Sequence, residues 1–290
     1  MIIRPKEEMK KHTSFKIGGP AECYVVPENF NELSKLLNFL KNERIITYII
    51  GNGTNLLVGD KGIAGCVIEI GPKLSKITVK GTRITAEAGA TLAQVAEIAE
   101  QKGLSGLEPL SGIPGTVGGA VVMNAGAYDC EMKDVVESVT AMTRTGESLE
   151  YGVEKLGFGY RTSSIEAKKL IVTKVVFNLT PDNKNEIKKR MAEYKVMREK
   201  KQPLEYPSAG SIFKRPEKHY AGVLISDCNF AGKNINDAEV SRKHCGFIIN
   251  KGNATAKDVT RLIELIQNAV LAFYGILLEP EIKMWGKFDK

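Results

Sequence analysis

Residues 110–129, LSGIPGTVGGAVVMNAGAYD, place Gly112, Gly115, Gly118, Gly119 and Gly126 within fifteen positions, with Pro114 stiffening a turn and Asn124 as a polar end. Glycine has no Cβ, so it lets backbone approach a ligand closely and adopts positive φ without penalty. Successive backbone N–H groups in such turns form concave anion sites. A second segment of the same character, IIGNGTNLLVGD at 49–60, runs from a strand-like apolar lead through Gly51, Asn52, Gly53, Thr54 and Asn55 to Leu56. Two glycine-rich loops, each following a strand-like run, point to a diphosphate-containing cofactor gripped from two sides. Tight structural crossovers are the plainer alternative for any lone glycine; the density in both loops favours a ligand.

Neither loop fits the commonest phosphate motifs. Gly-Lys-Ser/Thr is absent from the chain, which excludes a P-loop, and Leu56 stands where a dinucleotide fingerprint needs its third glycine.

The 290 residues allow one to three domains, and 43% hydrophobic with 26% charged residues is a globular composition. No apolar run is long enough to span a bilayer. The N-terminus, MIIRPKEEMKKHTSF, lacks the apolar core of a signal peptide. Five scattered cysteines and three scattered histidines give no metal-ligand spacing, so no metal is expected, and reduced thiols in the cytoplasm are expected. The net charge of +7 invites a nucleic-acid reading. Much of that excess lies in 183–202, a helix-like stretch with Ile187, Met191 and Tyr194 on one stripe, so its lysines read as a solvated face.

Periodicity predicts helices over 30–41, 92–102, 183–202, 220–226 and 255–274. The last has a Thr255/Asp258 capping box, Gly275 at C′ and a core stripe of Val259, Leu262, Ile263, Ile266, Val270 and Phe273. Strands are expected over 45–50, 66–70, 169–179 and 244–250, with hairpins around Lys80-Gly81 and Thr145-Gly146. The order lacks the alternation of a doubly wound sheet and predicts α+β with mixed sheets. Gln202-Pro203 and Tyr206-Pro207 mark a boundary.

Three residues stand out once a redox cofactor is suspected. Ser211 lies in PSAGSIFKRP, Arg161 follows FGY in GFGYRTSS, and Glu281 sits among apolar neighbours in LLEPEIKMWG. A guanidinium can pair bidentately with a carboxylate or phosphate, and a carboxyl in apolar surroundings can have a raised pKa. Taken singly, a turn-forming serine, a surface arginine and an ion-paired glutamate explain them better than any chemical role. Gly-x-Ser-x-Gly is absent, which disfavours a hydrolytic nucleophile.

Taken together and in order, the motifs HTSFKIGGPA (12–21), GNGTNLLV (51–58), LSGIPGTVGGAVVMNAGAY (110–128), FGYRTS (158–163), PSAGSIFKRP (207–216) and LEPEIKMWG (278–286) resemble the UDP-N-acetylenolpyruvoylglucosamine reductase family over nearly the whole chain. The resemblance implies an NADPH-dependent flavoenzyme that makes UDP-N-acetylmuramate for peptidoglycan. It implies a two-part FAD-binding region resembling the vanillyl-alcohol oxidase class and a C-terminal α+β substrate-binding domain. The expected segments are 1–71 and 72–203 for the two FAD-binding parts and 204–290 for substrate. By the same resemblance Ser211 protonates the substrate carbon after hydride transfer, while Arg161 and Glu281 polarise the enolpyruvyl carboxylate.

Candidate cofactor contacts are Gly51, Asn52, Gly53, Thr54, Asn55 and Leu56 in the first loop. In the second they are Ser111, Gly112, Pro114, Gly115, Thr116, Gly118, Gly119, Asn124, Ala125 and Gly126. Tyr160 and Lys214 are candidate substrate contacts. The expected partners are NADPH and a UDP-sugar, with no nucleic acid, membrane or obligate protein partner. Only about 45 residues separate Arg161 from Pro207, so the chain resembles the shorter subgroup lacking a tyrosine-bearing insertion. The family's Lys-Asn-Pro is Lys214-Arg215-Pro216 here, and Lys283 stands where an arginine is frequent. An oxidase acting on another hydroxylated substrate and a basic nucleic-acid-binding protein are the competing expectations.

Overall fold

The computed structural model describes residues 1–289, and its mixed helices and sheets make the fold α+β. The chain packs as two compact units, neither continuous in sequence. The first comprises 1–4, 23–52 and 65–198; the second comprises 5–22, 53–64 and 199–290. The expected segments 1–71, 72–203 and 204–290 divide the chain consecutively. Packing divides it differently, grouping residues 5–22 and 53–64 with 199–290.

The first unit is organised on a five-stranded antiparallel sheet in the order Ser148–Gly152, Val136–Met142, Ile171–Asn178, Arg83–Glu87, Ile77–Lys80. Both hairpins form where the turn residues place them, with Gly81 at φ +61° and Gly146 at φ +82°. In a second sheet Ile63–Glu69 lies between Pro20–Val26 and Thr47–Ile50, the last pairing with it in parallel. Helix α1, Phe30–Asn42, is capped by Asn29 and buries Leu33, Leu36, Leu37 and Leu40. Helix α2, Leu92–Gln101, starts on a Thr91/Gln94 capping box and buries Leu92, Val95, Ala96 and Ala99. These faces join the sheet side chains Ile84, Ala86, Val139, Val175 and Phe177 in one apolar core. Two short helices, α3 (Val117–Val122) and α4 (Ser164–Ala167), and the long polar α5 (Lys184–Lys201) complete the unit up to residue 198. Helix α3 lies inside the stretch read from sequence as a glycine loop, where paired glycines mask helical periodicity. It forms because Thr116 caps it and because Gly118 allows close packing on Ala88.

The second unit holds an antiparallel sheet ordered Ser208–Ser211, Phe247–Asn250, Ala238–Val240, Asn234–Ile235. A two-stranded parallel pair, Leu56–Val58 with Lys283–Trp285, joins the end of the first glycine loop to the C-terminal segment. Helix α6 is Ala221–Asp227, and helix α7 is Ala256–Tyr274. The expected Thr255/Asp258 capping box and the left-handed Gly275 at φ +69° both form on α7. Its N-terminal amides of Ala256 and Lys257 also donate to the Asp60 carboxylate, an anion suited to a helix start. Val259, Leu262, Ile263, Ile266 and Val270 are buried, as the stripe predicts. Phe273 is not: it is 76% exposed. The final turn of α7 extends beyond the packed core, and Leu271 and Tyr274 are exposed with it.

All five cysteines are free. Burial, with Cys23 alongside, pushes the Cys66 thiol up to about 12, and burial pushes Cys130 up to about 11. Neither is a reactive thiolate at neutral pH. No helix among the described residues is long and apolar enough to cross a membrane.

Candidate active site

In the first unit the two glycine loops meet. Gly51 follows directly on strand Thr47–Ile50, and a Cβ there would collide with Oγ1 of Thr116. Next to it, Nδ2 of Asn52 donates to the carbonyl of Pro114 at 3.0 Å. The second loop hangs from fixed points: the Leu92 amide donates to Gly115 O at 3.2 Å and the Val117 amide to Ala90 O at 2.7 Å. Thr116 Oγ1 accepts from the Gly119 amide at 3.3 Å, and Ser111 Oγ donates to Glu108 O at 2.7 Å. Among the described residues, the amides of Gly112, Gly115 and Thr116 have no internal acceptor. Unpaired N–H groups on a Gly/Pro loop fit a diphosphate, and Gly112, Pro114 and Gly119 are exposed beside them.

A carboxylate buttresses this loop. Glu108 is 3% exposed and accepts from the Gly106 amide at 2.7 Å, Ser105 Oγ at 2.9 Å and the Arg190 guanidinium at 2.7 Å. Burial alone raises its pKa, but these bonds outweigh it and hold the carboxyl below the usual range. Sequence reasoning missed Glu108 and Arg190. The only local signal was a glutamate just before the loop.

Asn124 and Gly118, expected at the cofactor, are turned to protein instead. Asn124 is fully buried at φ +42°, and its Nδ2 donates to Glu131 Oε2 and to Gly159 O, both at 3.0 Å. Its Oδ1 accepts from the Lys133 amide at 3.1 Å, so both side-chain N–H groups and one oxygen lone pair are committed within the protein. Ala125 is held by a 2.8 Å bond from its amide to Ala120 O. At Gly126 a Cβ would crowd Glu131 Cγ at 2.8 Å.

Arg161 sits in the turn that Asn124 grips. Gly159 and Thr162 exchange backbone bonds of 3.1 and 3.3 Å, and Arg161 between them has φ +55°. Its Nη2 donates to Gly126 O at 3.3 Å, and its guanidinium lies 5.1 Å from the ring centroid of the exposed Tyr160. Glu131 faces it. Burial raises that carboxyl, but bonds from Lys133 and Asn124 and the Lys133 and Arg161 charges hold it below the ordinary range.

In the second unit Ser211 and Glu281 come together. Gly210, at φ +78° with open space where a Cβ would be, accompanies an irregularity in the pairing of Ser208–Ser211 with Phe247–Asn250. The chain then runs antiparallel to 279–281. The Glu281 amide donates to Ile212 O at 2.7 Å, Phe213 bridges Pro280, and the Lys214 amide donates to Glu279 O at 2.9 Å. Ser211 and Glu281 are half-buried on adjacent segments. Lys214 Nζ is ion-paired with Glu279. Asn55 Nδ2 donates to Glu281 O at 3.3 Å, and the Lys283 amide to Asn55 O at 3.0 Å. Gly53, also in this unit, has φ +59°, and a Cβ there would collide with the carbonyl of His12. Thr54 is half-buried, whereas Leu56 is 4% exposed in its strand and belongs to packing.

Comparison with known proteins matches residues 21–152 to the family described as FAD binding domain. Residues 202–285 match that described as UDP-N-acetylenolpyruvoylglucosamine reductase, C-terminal domain. The chain is 52% identical to the UDP-N-acetylenolpyruvoylglucosamine reductase of Agathobacter rectalis over 97% of this chain and 93% of that protein. It is 51% identical, with the same coverage, to the enzyme of that name from Caldanaerobacter subterraneus subsp. tengcongensis. The crystal structure of UDP-N-acetylenolpyruvylglucosamine reductase from Thermus caldophilus superposes with a TM-score of 0.86 at 37% identity, over 98% of this chain and all of that one.

Proposed function

The chain belongs to the UDP-N-acetylenolpyruvoylglucosamine reductase family, an FAD-binding oxidoreductase family, and on that premise we propose that it reduces the enolpyruvyl ether of UDP-N-acetylglucosamine to UDP-N-acetylmuramate with NADPH. FAD, held at the Gly112 loop, would supply the redox chemistry, carrying a hydride from NADPH to the β-carbon of the substrate. The chain's own groups handle the charge that results. Hydride addition leaves an electron pair on the α-carbon, delocalised toward the carboxylate. Arg161 stabilises that charge more in the transition state than in the ground state. Glu281, when protonated, donates a hydrogen bond to the same carboxylate. Ser211 then gives its proton to the α-carbon. A serine suffices as acid because the acceptor is a strongly basic carbanion and the geometry is fixed in advance. Tyr160 and Lys214 contact the substrate, and the N–H groups of Gly112, Gly115 and Thr116 hold a cofactor phosphate. The product feeds peptidoglycan synthesis, hence cell shape and division, and the reaction runs in the cytoplasm without metal, membrane, nucleic acid or partner protein.

The observation that carries this reading is the adjacency of Ser211 and Glu281 on antiparallel segments inside the family-matched C-terminal region. Anaerobic spectrophotometry tests it. The purified protein is expected to be yellow, to bleach with NADPH, and to recover its colour on adding the enolpyruvyl sugar. Bleaching followed by recovery with oxygen but not with the sugar overturns the substrate assignment, and a colourless protein that takes up no FAD overturns the whole.

A further inference from the structure

Helix α5 carries one inward stripe, Ile187, Met191, Tyr194 and Arg198, at the alternating steps of four and three that share a helix face. Ile187 is buried, and Met191 packs against the core of the first unit. The Tyr194 ring lies 4.7 Å from that of Tyr128, whose hydroxyl donates to Tyr194 O at 3.3 Å. The next position on the stripe is an arginine, not an apolar residue.

Arg198 lies across the second glycine loop. A Cβ at Gly112 would stand 3.1 Å from its Cδ and 3.9 Å from its Nε and Nη1. Gly112 does not adopt a positive φ, so glycine serves there to make room for this side chain. Burial pushes the guanidinium's pKa down. Among the described residues no carboxylate or carbonyl accepts from it, whereas Arg190 on the same helix is ion-paired with Glu108 and Asp182. A partly desolvated guanidinium without a counter-charge is costly unless an anion joins it, and its planar fork matches phosphate oxygens. The unpaired amides of Gly112, Gly115 and Thr116 lie on the same loop.

We propose that Arg198 is an anion-binding residue that pairs with a phosphate of a diphosphate-bearing ligand seated on the Gly112 loop. The identity of that ligand rests on the reductase reading, which offers three sources: FAD, NADPH and the UDP-sugar. Inclusion of Gly112 in the segment matched as FAD binding domain favours FAD.

The test compares wild type with Arg198→Met, which keeps the packed stem without the charge, and Arg198→Lys, which keeps the charge without the fork. Affinity for inorganic pyrophosphate is measured by calorimetry on deflavinated protein, followed by FAD titration and KM values for NADPH and the UDP-sugar. Arg198→Met is expected to weaken pyrophosphate and one natural ligand by about tenfold to a hundredfold, with partial recovery in Arg198→Lys. The thermal midpoint of the deflavinated protein is expected not to fall. The natural ligand affected identifies the source: FAD affinity, or one KM with FAD affinity unchanged. Unchanged pyrophosphate affinity overturns the assignment, as does a uniform loss in every arm accompanied by a lowered midpoint. A wild type that takes up no flavin, yet loses pyrophosphate affinity on Arg198→Met, sinks the reductase reading and leaves the anion site standing.

Discussion

The amide of Glu281 donates to the carbonyl of Ile212 at 2.7 Å, and that bond holds Ser211 and Glu281 on neighbouring segments although the sequence sets them far apart. The same antiparallel run fixes Lys214 against Glu279, so the serine is held by backbone on both sides and does not depend on a mobile loop.

Replacing Ser211 with Ala is therefore expected to leave the backbone, and the rate of flavin reduction by NADPH, nearly unchanged. Reoxidation by the enolpyruvyl sugar is expected to slow by about 10²-fold or more, the usual scale for a lost general acid. Stopped-flow measurement of the two half-reactions checks this. Equal losses in both would assign Ser211 to the fold or the flavin site.

Gly119 and Gly51 make a contrasting pair. A Cβ at Gly119 meets only Thr116 Oγ1, at 3.4 Å, so Gly119→Ala is expected to keep the thermal midpoint of the flavin-free protein. At Gly51 the added methyl strikes the Thr116 side chain directly and forces the two loops apart. Gly51→Ala is expected to purify with little flavin, read from the visible absorbance relative to protein, and the bulkier Gly115→Val and Gly119→Val likewise. Full occupancy in all of them would show that these turns do not hold the cofactor.

Glu108 links stability to pH. Its carboxyl pKa is lower in the folded protein than in the unfolded chain, so its contribution is complete above the ordinary glutamate value of about 4.3. That contribution is lost as pH falls through the lower folded value. Glu108→Gln is expected to cost about 2 kcal/mol at neutral pH, because it leaves Arg190 one buried partner short. The difference from wild type is expected to shrink on acidification. Urea titrations at neutral and acid pH measure both quantities, and a pH-independent difference would remove the charge from the explanation.

Helix α7 yields a pair of opposite expectations one turn apart. Val270 is fully buried and Phe273 is 76% exposed. Val270→Ala is expected to destabilise by about 2 kcal/mol, whereas Phe273→Ser is expected to stay within about 0.5 kcal/mol. Chemical denaturation of the two variants decides it, and a large cost at Phe273 would mean that something covers that surface in solution.

Local signals carried well where local chemistry decides the outcome. The Thr255/Asp258 box, Gly275 and the Leu33–Leu40 stripe depend on residues within a turn or two of one another, and each forms as read. Phe273 kept the right spacing but not the right surroundings, since periodicity shows which way a side chain points and not where the core stops. Helix α3 escaped notice because two glycines lower helix propensity, and what stabilises it is a close approach to Ala88 from another element. The roles of Glu108 and Asn124 were hidden for the same reason: their partners Arg190 and Gly159 are distant in sequence. Arg161, Ser211 and Glu281 are candidates only through the ordered family motifs, because one arginine, one serine and one glutamate carry no signature of their own.

The parallel pairing of Leu56–Val58 with Lys283–Trp285 also has a temporal side. On the ribosome the segment after Gly53 emerges before its strand partner, which lies more than two hundred residues further along the chain. Until Trp285 clears the exit tunnel, Leu56, Leu57 and Val58 are apolar backbone without a ladder, a natural target for holdase chaperones. Completion of the second unit is thus deferred until the Lys283–Trp285 strand has been made, while α1 and the Ile77–Glu87 hairpin of the first fold as they appear.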